Sequence, residues 1–365
     1  MSFKFNFDLP ADEAETGAQT NGEMDADTAT GALSDSSRIP AQSHTLDELM
    51  AKLPPHIAYS TLKIPRSSSH TVSIPRRELF DVKMQLMTED NMASSDPNTQ
   101  GFSAAFTDED IRTNTYEGGL KSWECSSDLV KQLADDVDTW KNSAGRIIEL
   151  GCGTALPSCY ILQTLLSSSN THPTHITLAD YNIDVLRLVT LPNLLLAYLQ
   201  TNPDLLTRSE EAAPEETEVE TEHPIEPREI ELSQTILTSF LTALSSRNIT
   251  ISFLSGSWSP TMISLIHGTE YPSTNPEKMY SLLLASETIY SLDSIPPFVD
   301  MIEHTLDATH GTAYIAAKDV YFGVGGSVKD FVAFVESKQW KWTVVREEKR
   351  GVGVGRVVGL VRKTE

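Results

Sequence analysis

The feature that most constrains this chain is a strand-to-helix junction. The apolar run Arg146-Ile-Ile-Glu-Leu150 leads into Gly151-Cys-Gly153, and a helix-forming stretch begins at Ala155. The run reads as a buried strand, and glycines one residue apart read as a turn where absent side chains let a ligand approach the backbone. The carboxylate of Glu149, just before the first glycine, would repel a pyrophosphate and suits a ligand with a cationic amino group. The third glycine of the dinucleotide fingerprint is missing, with Thr154, Ala155, Leu156 and Pro157 following instead, which counts against a nicotinamide oxidoreductase.

Around this junction, strand and helix patterns alternate. Helices are predicted over 120–140, 155–166, 183–199, 232–244, 296–306 and 328–337. Strands are predicted over 146–150, 175–179, 249–254, 280–285, 312–317, 341–347 and 353–361. Alternation of this kind gives a mostly parallel sheet with helices on both faces, an α/β fold. Glu348-Lys-Arg-Gly351 is too short for a parallel crossover, so the last two strands form an antiparallel hairpin. Further upstream, short strands at 61–64, 71–74 and 80–86 make a small N-terminal β addition. Thr45-Leu-Asp-Glu48 carries the capping-box spacing of a helix start.

Charge is uneven along the chain. Of a net −23, Met1–Met50 contributes ten acids against Lys4 and Arg38, and Pro203–Glu231 eleven against Arg208 and Arg228. Such segments cannot bury enough apolar surface to fold alone. The organisation expected is therefore a disordered acidic tail over 1–45, an extension over 46–115, and a main domain over 116–365 interrupted by an acidic disordered insertion at 203–231. An acidic chain suits a basic protein partner, and the lack of a Lys/Arg-rich stripe disfavours direct nucleic-acid binding. Cys125, Cys152 and Cys159 have no metal-ligand spacing, and so few cysteines fit a reducing compartment. The N-terminus carries acids where a leader would be apolar, and no apolar run approaches 18 residues, so no membrane association is expected.

Ligands of open α/β sheets bind beyond the carboxyl ends of the strands, so residues there are read together. Asp180, in Asp180-Tyr-Asn182, can accept from both hydroxyls of a ribose or serve as a helix cap. Gly256-Ser-Trp258 can set backbone groups and an indole against an adenine edge, or bury the indole in the core. Glu287 and Tyr290, in Ser286-Glu-Thr-Ile-Tyr290, project from an expected helical turn. Asp319 and the run Tyr321-Phe-Gly-Val-Gly-Gly326 form a candidate substrate loop. A nucleoside bearing a cationic amino group points to S-adenosylmethionine.

Tyr116-Glu-Gly-Gly-Leu-Lys-Ser-Trp-Glu124, Glu149-Leu-Gly-Cys-Gly153, Ala179-Asp-Tyr-Asn182, Gly256-Ser-Trp258, Ser286-Glu-Thr-Ile-Tyr290 and Tyr321-Phe-Gly-Val-Gly-Gly326 occur here in that order. Together they resemble the eukaryotic protein-histidine methyltransferases of methyltransferase family 16. The resemblance implies the seven-strand, Rossmann-like class I fold and S-adenosylmethionine as cofactor. It implies cofactor contacts from Ser122, Trp123, Glu124, Cys125, Ser126, Glu149, Gly151, Gly153, Asp180, Tyr181, Asn182, Gly256, Ser257 and Trp258. A cationic sulfonium would favour the face of Trp123. The acceptor implied is the tele nitrogen of a histidine in a large-subunit ribosomal protein, in the cytoplasm and nucleus. Glu287, Tyr290 and Asp319 are the candidate catalytic residues, with Tyr321, Phe322 and Gly323 meeting the substrate. No metal is called for. Two alternatives remain at this point: a lysine acceptor, and a cofactor-binding partner of a ribosomal protein without catalysis.

Overall fold

The computed structural model describes residues 39–66, 70–93, 118–141, 145–169, 171–205, 227–323, 325–348 and 354–364. The tail up to residue 38 and residues 206–226 of the acidic insertion lie outside them.

The strands in chain order are β1 (Gln42–His44), β2 (His56–Pro65), β3 (Thr71–Arg77), β4 (Arg146–Leu150), β5 (Thr174–Asp180), β6 (Arg228–Glu231), β7 (Ile249–Ser255), β8 (Leu282–Ser286), β9 (Thr312–Lys318), β10 (Trp340–Glu348) and β11 (Arg356–Lys363). The main sheet has the order β1-β7-β5-β4-β8-β9-β11-β10. Strands β7, β5, β4, β8 and β9 are mutually parallel, and β11 enters antiparallel between β9 and β10. Without β1 this is the seven-strand class I methyltransferase order, closed by the hairpin that the short turn required. The eighth strand corrects the expectation for residues 1–45: Gln42–His44 pairs antiparallel with β7 along its outer edge. Three residues are too short to carry a readable alternation, so only pairing reveals the strand.

The helices are α1 (Leu46–Met50), α2 (Leu79–Ala93), α3 (Glu124–Asp135), α4 (Val137–Trp140), α5 (Leu156–Leu166), α6 (Ile183–Gln200), α7 (Gln234–Ser246), α8 (Pro260–His267), α9 (Ile295–Thr305) and α10 (Val328–Ser337). Thr45 closes the expected capping box with Glu48 on α1. Residues 80–86 are helical, not a strand: the buried Val82 and Leu86 are four apart, and Leu79 packs on the same small cluster, a helical spacing read as alternation. The helix expected from 120 begins at Glu124, because Gly118 takes a positive φ and Trp123 is extended at the N-cap. Helix α8 was missed, although Ser259 at its N-cap, Pro260 inside its start and Gly268 at φ 65° beyond its end are ordinary stop and start signals.

A second sheet, β3-β2-β6, packs on this core. Its third strand, β6, falls inside the segment assigned to the acidic insertion: Ile230 is buried opposite Ile57, which outweighs the acids beside it. Helix α6 is long and apolar enough to cross a membrane, contrary to the reading that no such run exists, but most of it is buried inside the fold. Its residues Leu186–Thr190 form a π-helical stretch just before Pro192. Proline cannot donate to the carbonyl four residues back. That carbonyl, of Leu188, accepts instead from Nη1 of buried Arg77 at 2.9 Å. The same helix thereby stays continuous through the proline and carries Thr190 and Asn193 to the glycine turn.

Candidate functional site

The glycine turn sits at the carboxyl end of β4, at the switch point between β5 and β8. Gly151 and Gly153 have φ of 62° and 51°, and Ala155 follows at 52°. A Cβ on Gly151 would lie 2.9 Å from Cγ2 of Thr288, and one on Gly153 would lie 3.2 Å from the carbonyl oxygen of Gly119. The turn is thus roofed by the 118–119 segment and by the loop after β8. Helix α6 anchors it from below: Thr190 Oγ1 donates to the Gly153 carbonyl at 2.7 Å and Asn193 Nδ2 to the Thr154 carbonyl at 2.8 Å. Neither residue was singled out from sequence, since both lie inside a helix pattern with no local mark of the contact.

Asp180, at the end of β5, accepts from the Gly153 amide at 2.9 Å through Oδ2 and from the Asn182 amide at 3.2 Å through Oδ1. It ties the ends of two adjacent parallel strands together, and the helix that follows has Asn182, not Asp180, at its N-cap. Glu149 is completely buried. The Ser158 amide donates to its Oε2 at 3.0 Å, with the Ser158 hydroxyl beside it, while Oε1 has no protein partner. Burial, offset in part by Ser158 and reinforced by Asp180, pushes this carboxyl from 4.5 up to about 8. A buried carboxyl oxygen with no protein partner, next to the glycine turn, fits a ligand or water that hydrogen-bonds there.

Several expected cofactor groups are already engaged within the protein. The Ser257 amide donates to the Ile39 carbonyl at 2.9 Å, the Gly256 amide bonds the Asp180 and Tyr181 carbonyls, and the Tyr181 hydroxyl accepts from the Ile39 amide. Gly256, at φ 103°, would place a Cβ 2.5 Å from the Pro40 carbonyl oxygen. The backbone amides expected to face an adenine edge are therefore taken, that of Ser257 by Ile39 and that of Gly256 by 180–181, which leaves Trp258 to reach toward the turn, 3.8 Å from the Cβ position of Gly151. Trp258 also packs on Phe298 with ring centres 5.1 Å apart, so part of it is core. Ser122 Oγ lies 3.0 Å from Thr154 Oγ1, which joins the 118–123 segment to the turn. The hydroxyl of Ser126 is spent on the Trp123 carbonyl.

On the opposite side of the turn is a charged group that the sequence reading missed. Lys318, last in β9, places Nζ 3.1 Å from Oε2 of Glu124 and 3.4 Å from Oε1 of Glu287. Glu287 also receives the Cys125 amide at 3.5 Å. The Lys318 ammonium lies 5.1 Å from the ring centre of Trp123, and that of Lys121 lies 4.1 Å away, so the indole meets the chain's own cations. Burial alone would lower the Lys318 pKa, but Glu287 and Glu124 raise it, so the ammonium is kept. Its place at the carboxyl end of a parallel strand was the available signal. Burial pushes the Cys125 thiol up, with Glu287 adding to it, so this cysteine is an inert packing group.

Residues 287–290 form a loop, not a helical turn, with Glu287 at φ 57° and its amide bonded to the Ala316 carbonyl. That correction turns the Glu287 carboxylate inward, with its side chain only 8% exposed. Tyr321 joins the group: its hydroxyl accepts from the Lys318 amide at 3.2 Å, and burial beside Glu287 raises its pKa. Asp319 is fixed by its backbone, amide to Gly355 and carbonyl to Val328, and is not hydrogen-bonded to Glu287. Tyr290 accepts through its carbonyl from Gly326, which stitches the loops after β8 and β9 together. Phe322 and Gly323 sit at the exposed tip of the second loop.

No protein-family model matches the chain. Histidine protein methyltransferase 1 of Saccharomyces cerevisiae is 42% identical over 267 residues, which cover 72% of this chain and 68% of that protein. This chain belongs to the histidine protein methyltransferases. The protein of the same name from Schizosaccharomyces pombe is 36% identical, over 80% of this chain and 76% of its own length. The Bos taurus homolog is 28% identical over 86% and 73%. Among solved structures, the methyltransferase domain of bacterial CtHen1 overlaps at 16% identity and a TM-score of 0.34, over 63% of this chain and 97% of its own. That overlap is too loose to argue from, and the fold assignment rests on the strand order.

Proposed function

We propose that this histidine protein methyltransferase moves the methyl group of S-adenosylmethionine to the tele nitrogen of a histidine in a basic, large-subunit ribosomal protein, in the cytoplasm and nucleus. The observation that carries the reading is the corner in which Asp180 is locked to Gly153 above the unpartnered oxygen of buried Glu149. Those donors and acceptors suit the cofactor: Asp180 for ribose hydroxyls, Glu149 for the amino group, and the Gly151–Gly153 turn for close backbone approach. Bound S-adenosylmethionine supplies an electrophilic methyl group.

The chain's own task is positioning. A neutral imidazole, with an ordinary pKa of about 6.5, is already nucleophilic at cellular pH. Holding it in line contributes up to ~7–11 kcal/mol of the barrier. A carboxylate accepting the other ring N–H fixes the tautomer and offsets the charge that the ring gains. Glu287 and Asp319 are the candidates, with Tyr290 and Tyr321 shaping the space. Glu124, Lys318 and Glu287 together bear a net negative charge, which favours a ring turning cationic. The test is transfer of labelled methyl from S-adenosylmethionine to ribosomal proteins from cells lacking the gene, with Asp180→Ala alongside. Methylhistidine in one band, absent with the variant, supports the reading. Methyllysine instead, or no label despite cofactor binding, overturns it.

A further inference from the structure

The loops after β8 and β9 carry three large apolar side chains in solvent: Phe322, 81% exposed, Leu292, 54%, and Val320, 40%. The scaffold beneath them is tied down. The Gly325 amide bonds the Tyr321 carbonyl, the Tyr321 amide bonds the Gly326 carbonyl, the Gly326 amide bonds the Tyr290 carbonyl of the other loop, and Ser291 bridges Gly325 while Val320 bridges Ser327. Leu292 reaches the same turn, with Cδ1 3.9 Å from the Cβ position of Gly325. Two acids flank the patch, Asp293 beside Leu292 and Asp319 beside Val320, and neither has an ion pair among the described residues. The patch is continuous with the site, because Tyr321 links Phe322 to the Glu287–Lys318 group.

We infer that Phe322, Leu292 and Val320 seat an apolar side chain of the acceptor polypeptide close in sequence to its methylated histidine, with Asp293 drawing a basic neighbour. The inference rests on the histidine-acceptor reading and adds a sequence context to it. An aromatic that stays exposed beside the site has the character of an interface anchor, and unpaired carboxylates beside it select a basic segment over an acidic one.

The probe is a randomised peptide library with one central histidine, labelled by the full chain from S-adenosylmethionine. Wild type should enrich Leu, Ile, Met or Phe at one flanking position and Lys or Arg near it. Phe322→Ser and Leu292→Ser should erase the apolar preference and raise KM for the selected peptide on the order of tenfold. In both, cofactor affinity should stay within about twofold, and melting should be unchanged at such exposed positions. A flat flanking profile, or a preference that survives both substitutions, overturns the inference. So does a wild-type dimer in sedimentation that Phe322→Ser dissociates, since the patch would then be covered by a second copy. Failure of wild type to form methylhistidine in the library and in ribosomal protein alike would sink the acceptor reading itself, and the docking surface with it.

Discussion

Replacing Asn193 by leucine tests whether the cofactor turn is held from beneath by helix α6. The side chain is fully buried and makes two bonds, donating to the Thr154 carbonyl at 2.8 Å and accepting from the Arg77 amide at 2.7 Å. Leucine keeps the branched shape and is somewhat larger, so no cavity forms, but both backbone groups lose their partner where water does not reach. Each orphaned group costs about 1–3 kcal/mol, so the loss of stability should be roughly 2–6 kcal/mol. Urea unfolding read by tryptophan fluorescence, with an unchanged slope, measures it. Because Thr154 also touches Ser122, the loosened turn should weaken S-adenosylmethionine binding in titration calorimetry by about tenfold or more at a temperature where the variant is folded. A stability change below about 1 kcal/mol with wild-type affinity would show that the two bonds do not anchor the turn, and the account of α6 would fail.

Three further outcomes follow from the geometry. Glu149 holds its proton in the fold up to about pH 8 against 4.5 ordinarily, so its raised pKa makes stability greatest at low pH and drains it as pH rises between those values. Glu149→Gln should flatten that part of the pH–stability curve, and parallel curves for the two proteins would refute the burial argument. Arg77→Met should cost about 3–5 kcal/mol, since it leaves Asp81 and the Leu188 carbonyl behind. Adding Pro192→Ala should recover part of that by restoring an amide to the helix, and strictly additive effects in the double-mutant cycle would contradict the proline explanation. Gly256→Ala should cost about 1–3 kcal/mol and raise hydrogen exchange at 42–44, because the new Cβ meets backbone atoms of Pro40 and Ala41. Unchanged exchange there would mean the crossing is not tight.

The sequence by itself determined the repeating architecture and marked the strand ends that hold the candidate site. Arg146–Leu150, the two glycines and the apolar helix after them are local signals, each satisfied by its own residues. So is the closing hairpin, where a short turn forbids a parallel return. Asp180 and Glu287 were legible because strand ends in an α/β sheet converge. What only the tertiary structure decided were contacts between segments far apart in the chain. Strand β1 exists because β7 offers it an edge, and β6 because Ile230 meets Ile57. Ile39 takes the Ser257 amide that sequence left open for a ligand. Lys318 pairs with Glu124 and Glu287 from three different elements, so no spacing announces it. Pro192 marks a helix break in any local reading, yet Arg77, 115 residues earlier, supplies the missing donor and the helix runs on. Propensity and periodicity are properties of neighbours in sequence, whereas hydrogen-bond satisfaction in a dry core depends on whatever the fold brings near.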